Sequence, residues 1–285
     1  MKFHGTDFCN YDSAIWNASR GSWLYCNLSH GNSYLGIHFS LILFLLVPFY
    51  WLGAGSWVLI LARSAAAAGG AVLIRFYARK YANLPAWVSS IIGISFLLHP
   101  MVHMATLSEF HGTILELFFI PLLFVAIESK KKWFFWISFF LLLSVREDTW
   151  LYTTGLSFLI LWKRDRKLAI QVGVVSIAWG ILALKVLMPF FFWGAKAIGK
   201  GNVMFSLYLA RYRGYSLSNL IPFFKPRLLA DFKLLFPLAF LPLLGGRYFL
   251  LMLIPLIQIQ TGQINLLKSL LIHYPACILP FAYIA

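Results

Sequence analysis

Long apolar runs recur along the whole chain and are separated by short polar segments, several of them basic. "FSLILFLLVPFYWL" (39–52), "WVLILARSAAAAGG" (57–70), "ELFFIPLLFVAI" (116–127) and "FLLMLIPLI" (249–257) set the pattern. Runs of this kind predict helices crossing a bilayer, each needing about 20 residues. Short loops rich in Lys and Arg stay cytoplasmic, which places "RFYARKY" (75–81), "SKKK" (129–132) and "KRDRK" (163–167) inside. The predicted spans are then 56–75 running inward, 85–106 outward, 112–128 inward, 133–145 outward, 151–162 inward and 168–192 outward. Residues 233–245 return, 248–260 rise and 275–285 return. Several runs fall short of a full span, so the helices around 133–162 are expected to extend into polar flanks or lie inside the bundle. Counted as a span, 38–52 would put "RFYARKY" outside. It is read instead as part of a juxtamembrane helix, 34–55, lying along the outer interface and broken by Pro48, Gly53 and Gly55.

The expected fold is all-α: a polytopic transmembrane helical bundle with about eight or nine spans and an outer juxtamembrane helix. Residues 1–285 form one integral membrane domain, with 1–33 as an outer loop, 34–55 as the juxtamembrane helix, and 56–285 as the bundle carrying an outer loop at 193–232. Composition agrees. Of 285 residues 61% are hydrophobic and only 12% charged, about half the charge of a soluble domain. The opening segment has no basic n-region leading into an apolar core, and the chain ends in the apolar "PACILPFAYIA"; both ends suggest truncation. No internal repeat is evident. Cys9 and Cys26 share the first polar segment, and unpaired thiols are the default reading for them. The sequons Asn17-Ala-Ser19 and Asn27-Leu-Ser29 matter only in a lumen with glycosylation machinery.

This topology sorts the reactive residues onto one face. All seven histidines fall in outer loops or at outer span ends, as do the acids Asp7, Asp12, Glu109, Glu116, Glu147, Asp148 and Asp231. Ionisable groups near the membrane interior are costly and mark function by default. Arg146, Glu147 and Asp148 stand in a row between two apolar runs, in "LLLSVREDTWLYTTG". An internally paired loop cap is the bland reading of this triplet; its compactness at a span junction favours a functional one. Arg63 lies about two turns into a span, where snorkelling to the interface and a functional role are both open. The basic residues of 193–232 would attract a phosphate, of a headgroup or of a lipid-linked substrate.

No nucleic-acid partner is expected, because the basicity belongs to membrane loops and not to a folded basic domain. His99 and His103, four apart, share a helix face. Without a paired Glu motif they are a weak metal signal, and no cofactor is expected, a divalent metal being the lesser case. No Gly-rich phosphate loop or nucleophile elbow is present, so a soluble nucleotide donor has no visible binding element.

"DFCNYDSAIWN" (7–17) resembles the D-L-G-I-F-D-Q-A-L-W-N opening of the bacterial and archaeal membrane proteins grouped as domain of unknown function 2079. "YLGIHFSLILFLLVPFY" resembles their G-D-H-F-S-P-I-L-L-L-L-A-P-L-Y, and "EFHG" their D-F-H-P. "LLSVREDTWLYTTGLSFLIL" resembles their K-E-D-x-A segment, and "HYPACILPFAYIA" their H-Y-x-x-P-L-x-P-F run. That family is similar to GT-C glycosyltransferases, multi-span enzymes that take sugars from polyprenyl-phosphate donors at the outer face. The resemblance implies a transferase in a bacterial or archaeal cytoplasmic membrane, with a lipid-linked sugar donor and the bilayer as partners. The alternative is a non-catalytic membrane protein, either a transporter of a lipid or small anion or an inactive relative.

Carried over residue by residue, Asp7 becomes the general base and Asp12 its neighbour or an acceptor-binding carboxylate. Arg146 and Arg63 would stabilise the leaving phosphate, and Glu147 and Asp148 would bind acceptor or orient that arginine. Glu109, His38, His111, His273 and Tyr274 complete the expected substrate site. The chain departs from the family's pattern at Arg63, where glutamine is common, at Ile37, where an acid precedes the histidine, and at Gly112, where proline follows Phe-His.

Overall fold

The computed structural model describes residues 6–26, 32–163, 165–192, 220–260, 270 and 272–285. Twelve helices dominate them. α1 (Thr6–Ala18) leads, through a two-residue antiparallel ribbon pairing Tyr25–Cys26 with Asn32–Ser33, into two 3-10 segments and the short α2 (Val47–Trp51). α3 (Trp57–Lys80) is followed by α4 (Ala86–Leu98) and α5 (Pro100–Leu107), and then by α6 (Glu116–Ser129). α7 (Lys132–Leu143) and α8 (Thr149–Trp162) form a tight hairpin, and α9 runs over Arg166–Phe191. α10 (Leu220–Leu235), α11 (Arg247–Gln260) and α12 (Leu279–Ile284) close the chain.

The outer surface of these helices is apolar at helical spacing. On α4, Trp87, Ile91, Ile94 and Leu98 are all exposed, and on α9 so are Ile170, Val174, Ile177 and Ile181. Residues at i, i+4, i+7 and i+11 share one helix face. A stripe that would be buried in a water-soluble protein therefore faces outward here, as it does against lipid. The inner faces pack closely. A Cβ added at Gly70 of α3 would lie 2.2 Å from the Leu117 carbonyl of α6, so only glycine permits that approach.

Three helices are long and apolar enough to cross a bilayer, namely α3, Gly112–Ser129 and α9. Counting α4 and α5 as one bent span makes four among the described residues. The expected eight or nine spans are not supported. The 12 residues of α7 and 14 of α8 rise about 18–21 Å, short of a hydrocarbon core of about 30 Å. The predicted span 85–106 is bent by 47°, because Pro100 forces the preceding His99 into extended backbone (ψ 127°). The predicted span 233–245 is instead the end of α10 and two 3-10 turns, with Ala239 and Phe240 at positive φ. Residues 220–232, expected in a loop, lie in α10; 193–219 lie outside the described residues, as does most of the expected outer segment 261–274.

Two further readings change. The first polar segment is not a plain loop, since α1 occupies 6–18. The 34–55 segment is not one helix but 3-10 turns at Tyr34–Gly36 and Leu41–Leu46 followed by α2, with Pro48 in the first turn of α2, where its missing N–H is tolerated.

Two apolar clusters organise the core. One gathers the bundle, including Ile74, Phe96, Leu117, Phe139, Tyr152 and Phe281. The other packs α1 and the 3-10 segments against the start of α3 and the end of α9 through Tyr11, Ile15, Phe39, Leu43, Leu59 and Phe110. Leu143 belongs to the first and Val145 to the second. The polar site lies at this seam. The chain order puts it at the end of α6 and α8 opposite the basic loops, where Lys163 bonds Glu128.

Candidate functional site

The hairpin turn between α7 and α8 is held through its backbone carbonyls. Thr149 Oγ1 donates to the Arg146 carbonyl at 2.8 Å, Ile42 N–H donates to the Ser144 carbonyl at 2.9 Å, and Trp179 Nε1–H donates to the Leu143 carbonyl at 3.2 Å. This clamp presents Arg146, Glu147 and Asp148 inward, and their exposures are 8%, 1% and 9%. Glu147 is fully engaged. His38 Nδ1 lies 3.0 Å from Oε1, Phe39 N–H donates to Oε2 at 3.0 Å, and Arg146 Nε reaches Oε1 at 3.4 Å. Asp148 pairs with Arg146 Nε at 3.6 Å and accepts from Gln258 Nε2 at 2.8 Å. Among the described residues Arg146 meets both carboxylates through its Nε.

The charges divide these acids. Burial raises the Glu147 carboxyl, but His38 and Arg146 together outweigh burial and hold it well below the usual range. Asp148 moves up, because burial and the Glu147 charge exceed the pull of Arg146. Despite burial, the two acids hold the Arg146 proton more tightly than in water.

A wall of aromatic and imidazole rings faces the triplet. His111 and His273 stack with centroids 3.7 Å apart and planes 1° from parallel, and His38 meets His111 edge-on at 5.6 Å. His111 Nδ1 accepts from Thr113 N–H, capping the 3-10 turn Gly112–Leu115. Burial, His273 and Arg146 hold His111 well below its ordinary value, and burial with Arg146 and His38 pushes His273 down to about 3. Both rings are neutral at physiological pH.

Asp7 comes to this site from α1. Its backbone N–H and that of Phe8 donate to Glu109 Oε2 at 2.8 and 3.2 Å, so Glu109 satisfies orphan donors at the helix N-terminus. The half-buried Asp7 carboxyl is raised by burial and by Glu109, and is drawn back by His38 and Arg146. Asp12 goes elsewhere: five residues on, it faces away from Asp7 on the helix, and it accepts from Tyr50 Oη at 2.7 Å. It ties α1 to α2. Arg63 Nη1 donates to the Ser108 carbonyl beside Glu109, while its Nε is buried without a partner among the described residues. Tyr274 packs on His273 at 4.4 Å. His99 and His103 separate, the first buried and capping α5, the second exposed. Among the described residues no three His, Cys, Asp or Glu side chains form a metal-holding group.

Sequence reasoning missed three members. Tyr11, one turn after Asp7, accepts from Gly112 N–H at 2.9 Å. Proline at 112 could not make that bond, so the departure from Phe-His-Pro is matched by the Tyr11 contact. Gln258, which donates to Asp148, was not named from the sequence. Glu116 was placed in a span but not in the site; it is 1% exposed and senses Asp148, Arg146 and Glu147.

Apolar helix faces turned outward and a buried ionic cluster at one end of the bundle define an integral helical membrane protein. The chain belongs to the predicted membrane protein family DUF2079, whose model matches residues 4–285. No curated protein and no solved structure matches the chain significantly.

Proposed function

We propose that this protein transfers a sugar from a polyprenyl-phosphate donor to an acceptor hydroxyl at the extracytoplasmic face of the membrane. One observation carries the reading: α1, which bears Asp7, packs through Tyr11 against His111 at 5.5 Å, and His111 meets the His38 that bonds Glu147. The basic loops at the opposite end of α6 and α8 support the sidedness.

In this reading Asp7 accepts the proton of the acceptor hydroxyl as its oxygen bonds to the anomeric carbon. The bond from that carbon to the phosphate oxygen breaks, and the lipid phosphate leaves with the electron pair. The raised Asp7 carboxyl is a stronger base for that proton. The Arg146 amino groups meet the charge growing on the phosphate. Glu147 and Asp148 orient the guanidinium through its Nε, Glu109 positions Asp7 through the backbone, and Asp12 has a structural role.

The test uses the full chain in proteoliposomes supplied with a labelled polyprenyl-phosphate hexose. Wild type releases polyprenyl phosphate, and Asp7→Asn lowers the rate by about 100- to 10,000-fold while the protein stays folded. Release unchanged in Asp7→Asn contradicts the proposal. A second reading, passage of a lipid or anion without chemistry, draws on the bent α4–α5 pair, since transporters build sites at broken helices. Flux of intact donor across the vesicle membrane without release of polyprenyl phosphate would favour it.

A further inference from the structure

The basic end of the bundle is short of negative charge. Its acids, Glu128 and Asp165, are both engaged: Lys163 bonds Glu128, and Asp165 accepts from Leu168 N–H at the start of α9. Among the described residues no carboxylate comes within ion-pairing distance of Arg75, Arg79 or Lys80 in the last turns of α3.

Two of these cations are fixed in place. Arg75 and Arg79 are one turn apart and share a face of α3, and both are bound back onto the α3–α4 hairpin instead of reaching freely toward water. Arg75 Nε donates to Ser90 Oγ on α4 at 3.0 Å, and Arg79 Nη1 donates to the Leu84 carbonyl in the turn at 3.0 Å. The helices meet closely here. A Cβ added at Gly93 would lie 3.1 Å from the Arg75 Cβ, so the glycine one turn along from Ser90 lets the arginine stem sit in the seam. Arg75 stands five residues before the end of α3, about 7–8 Å toward the membrane interior, beside the exposed Val72 and Phe76. A cation among lipid-facing residues at that depth is costly without an anion next to it.

The surrounding surface suits a lipid. Ser90 is one turn from Trp87 and one turn from Ile94, so the two guanidinium groups lie at the basic end of the exposed α4 stripe of Trp87, Ile91, Ile94 and Leu98. An exposed tryptophan at a span end is an interface anchor. We infer that Arg75 and Arg79 bind the phosphate of an anionic phospholipid in the cytoplasmic leaflet, with its acyl chain along the exposed face of α4. The planar fork of an arginine matches phosphate oxygens, and the missing counter-charge selects an anionic headgroup over a zwitterionic one. This site stands at the opposite end of the bundle from Arg146 and is independent of the transfer reaction.

The full chain in detergent is titrated with phosphatidylglycerol or with phosphatidylcholine of the same acyl chains, and bound lipid is counted by native mass spectrometry. Wild type takes up one phosphatidylglycerol about 30-fold more tightly than phosphatidylcholine, the preference two arginines at a headgroup confer. Arg75→Gln/Arg79→Gln lowers that preference to about threefold or less. Lys131→Gln/Lys132→Gln, a pair of exposed cations at the same end, leaves it within about twofold of wild type. Equal affinity for the two lipids in wild type overturns the inference, as does an undiminished preference in the arginine double variant. An equal loss in the lysine double variant marks a diffuse basic surface and overturns it too. Inorganic phosphate that displaces phosphatidylglycerol at matched concentration marks a site for the free anion and overturns the lipid assignment. Should Arg75→Gln/Arg79→Gln give no folded protein, Arg79→Gln alone, which keeps the Arg75–Ser90 bond, is read instead, and an undiminished preference there overturns the inference.

Discussion

Replacing Glu147 by glutamine removes one negative charge from the centre of the ionic cluster with almost no change of shape. The amide oxygen still accepts from Phe39 N–H, now 3.0 Å from Oε2. Two interactions are lost, with His38 Nδ1 at 3.0 Å and Arg146 Nε at 3.4 Å, and Arg146 is left with Asp148 at 3.6 Å. Taking one partner from a buried ion pair costs about 3–5 kcal/mol, because the other charge stays buried. The retained Phe39 bond puts Glu147→Gln at the lower end, about 3 kcal/mol. At about 2–4 °C per kcal/mol for a chain of this size, the midpoint drops by roughly 6–12 °C. Glu147→Ala also orphans the Phe39 N–H and costs about 1–3 kcal/mol more.

The assay is thermal unfolding in nanodiscs, followed by near-ultraviolet circular dichroism. The pH dependence has a defined sign. The folded Glu147 carboxyl lies below its unfolded value, so its contribution is complete above about pH 4.3 and is lost as pH falls through and below that value. Glu147→Gln lacks this acid-side loss. A shift under about 2 °C, or an acid profile identical to wild type, would refute the reasoning.

Two predictions concern the scaffold. Gly70→Val forces a Cβ to within 2.2 Å of the Leu117 carbonyl and destabilises the α3–α6 contact by about 1–3 kcal/mol or more, read as a lowered midpoint or loss of folded yield. Tyr50→Phe removes the 2.7 Å bond to Asp12 and costs about 1.5–3 kcal/mol, while leaving polyprenyl-phosphate release within about twofold of wild type, since Asp12 is structural. A collapse of release in that variant would return Asp12 to the chemistry.

Much of the site was legible because charge is scarce in this chain. Arg146, Glu147 and Asp148 stand out between apolar runs, and the structure does bury them, beside the buried His111 and His273 and in contact with the partly exposed His38. Asp7 and Glu109 were both named, but their relation was not. Glu109 reaches Asp7 only through the backbone of a helix start, and no local pattern encodes a contact between residues so far apart in sequence. Tyr11 was readable in principle from its i+4 spacing to Asp7, and so was the α4–α5 bend, from Pro100. The span count failed for a physical reason: apolar runs as short as α7 and α8 meet the compositional rule but not the length. Hydropathy cannot tell a short buried helix from a crossing one. Asp12 was named beside Asp7 from adjacency in sequence, and the bond that ties it to Tyr50 was not readable there.

The claim at the centre of this account is that the Asp7 helix and the Arg146 turn act as one site. A double-mutant cycle on polyprenyl-phosphate release, with Asp7→Asn, Arg146→Gln and the pair together, tests it most directly. If the two act on the same transferring group, the double variant is hardly slower than the worse single variant. If the two losses multiply, Asp7 and Arg146 work independently and the single-site account is contradicted.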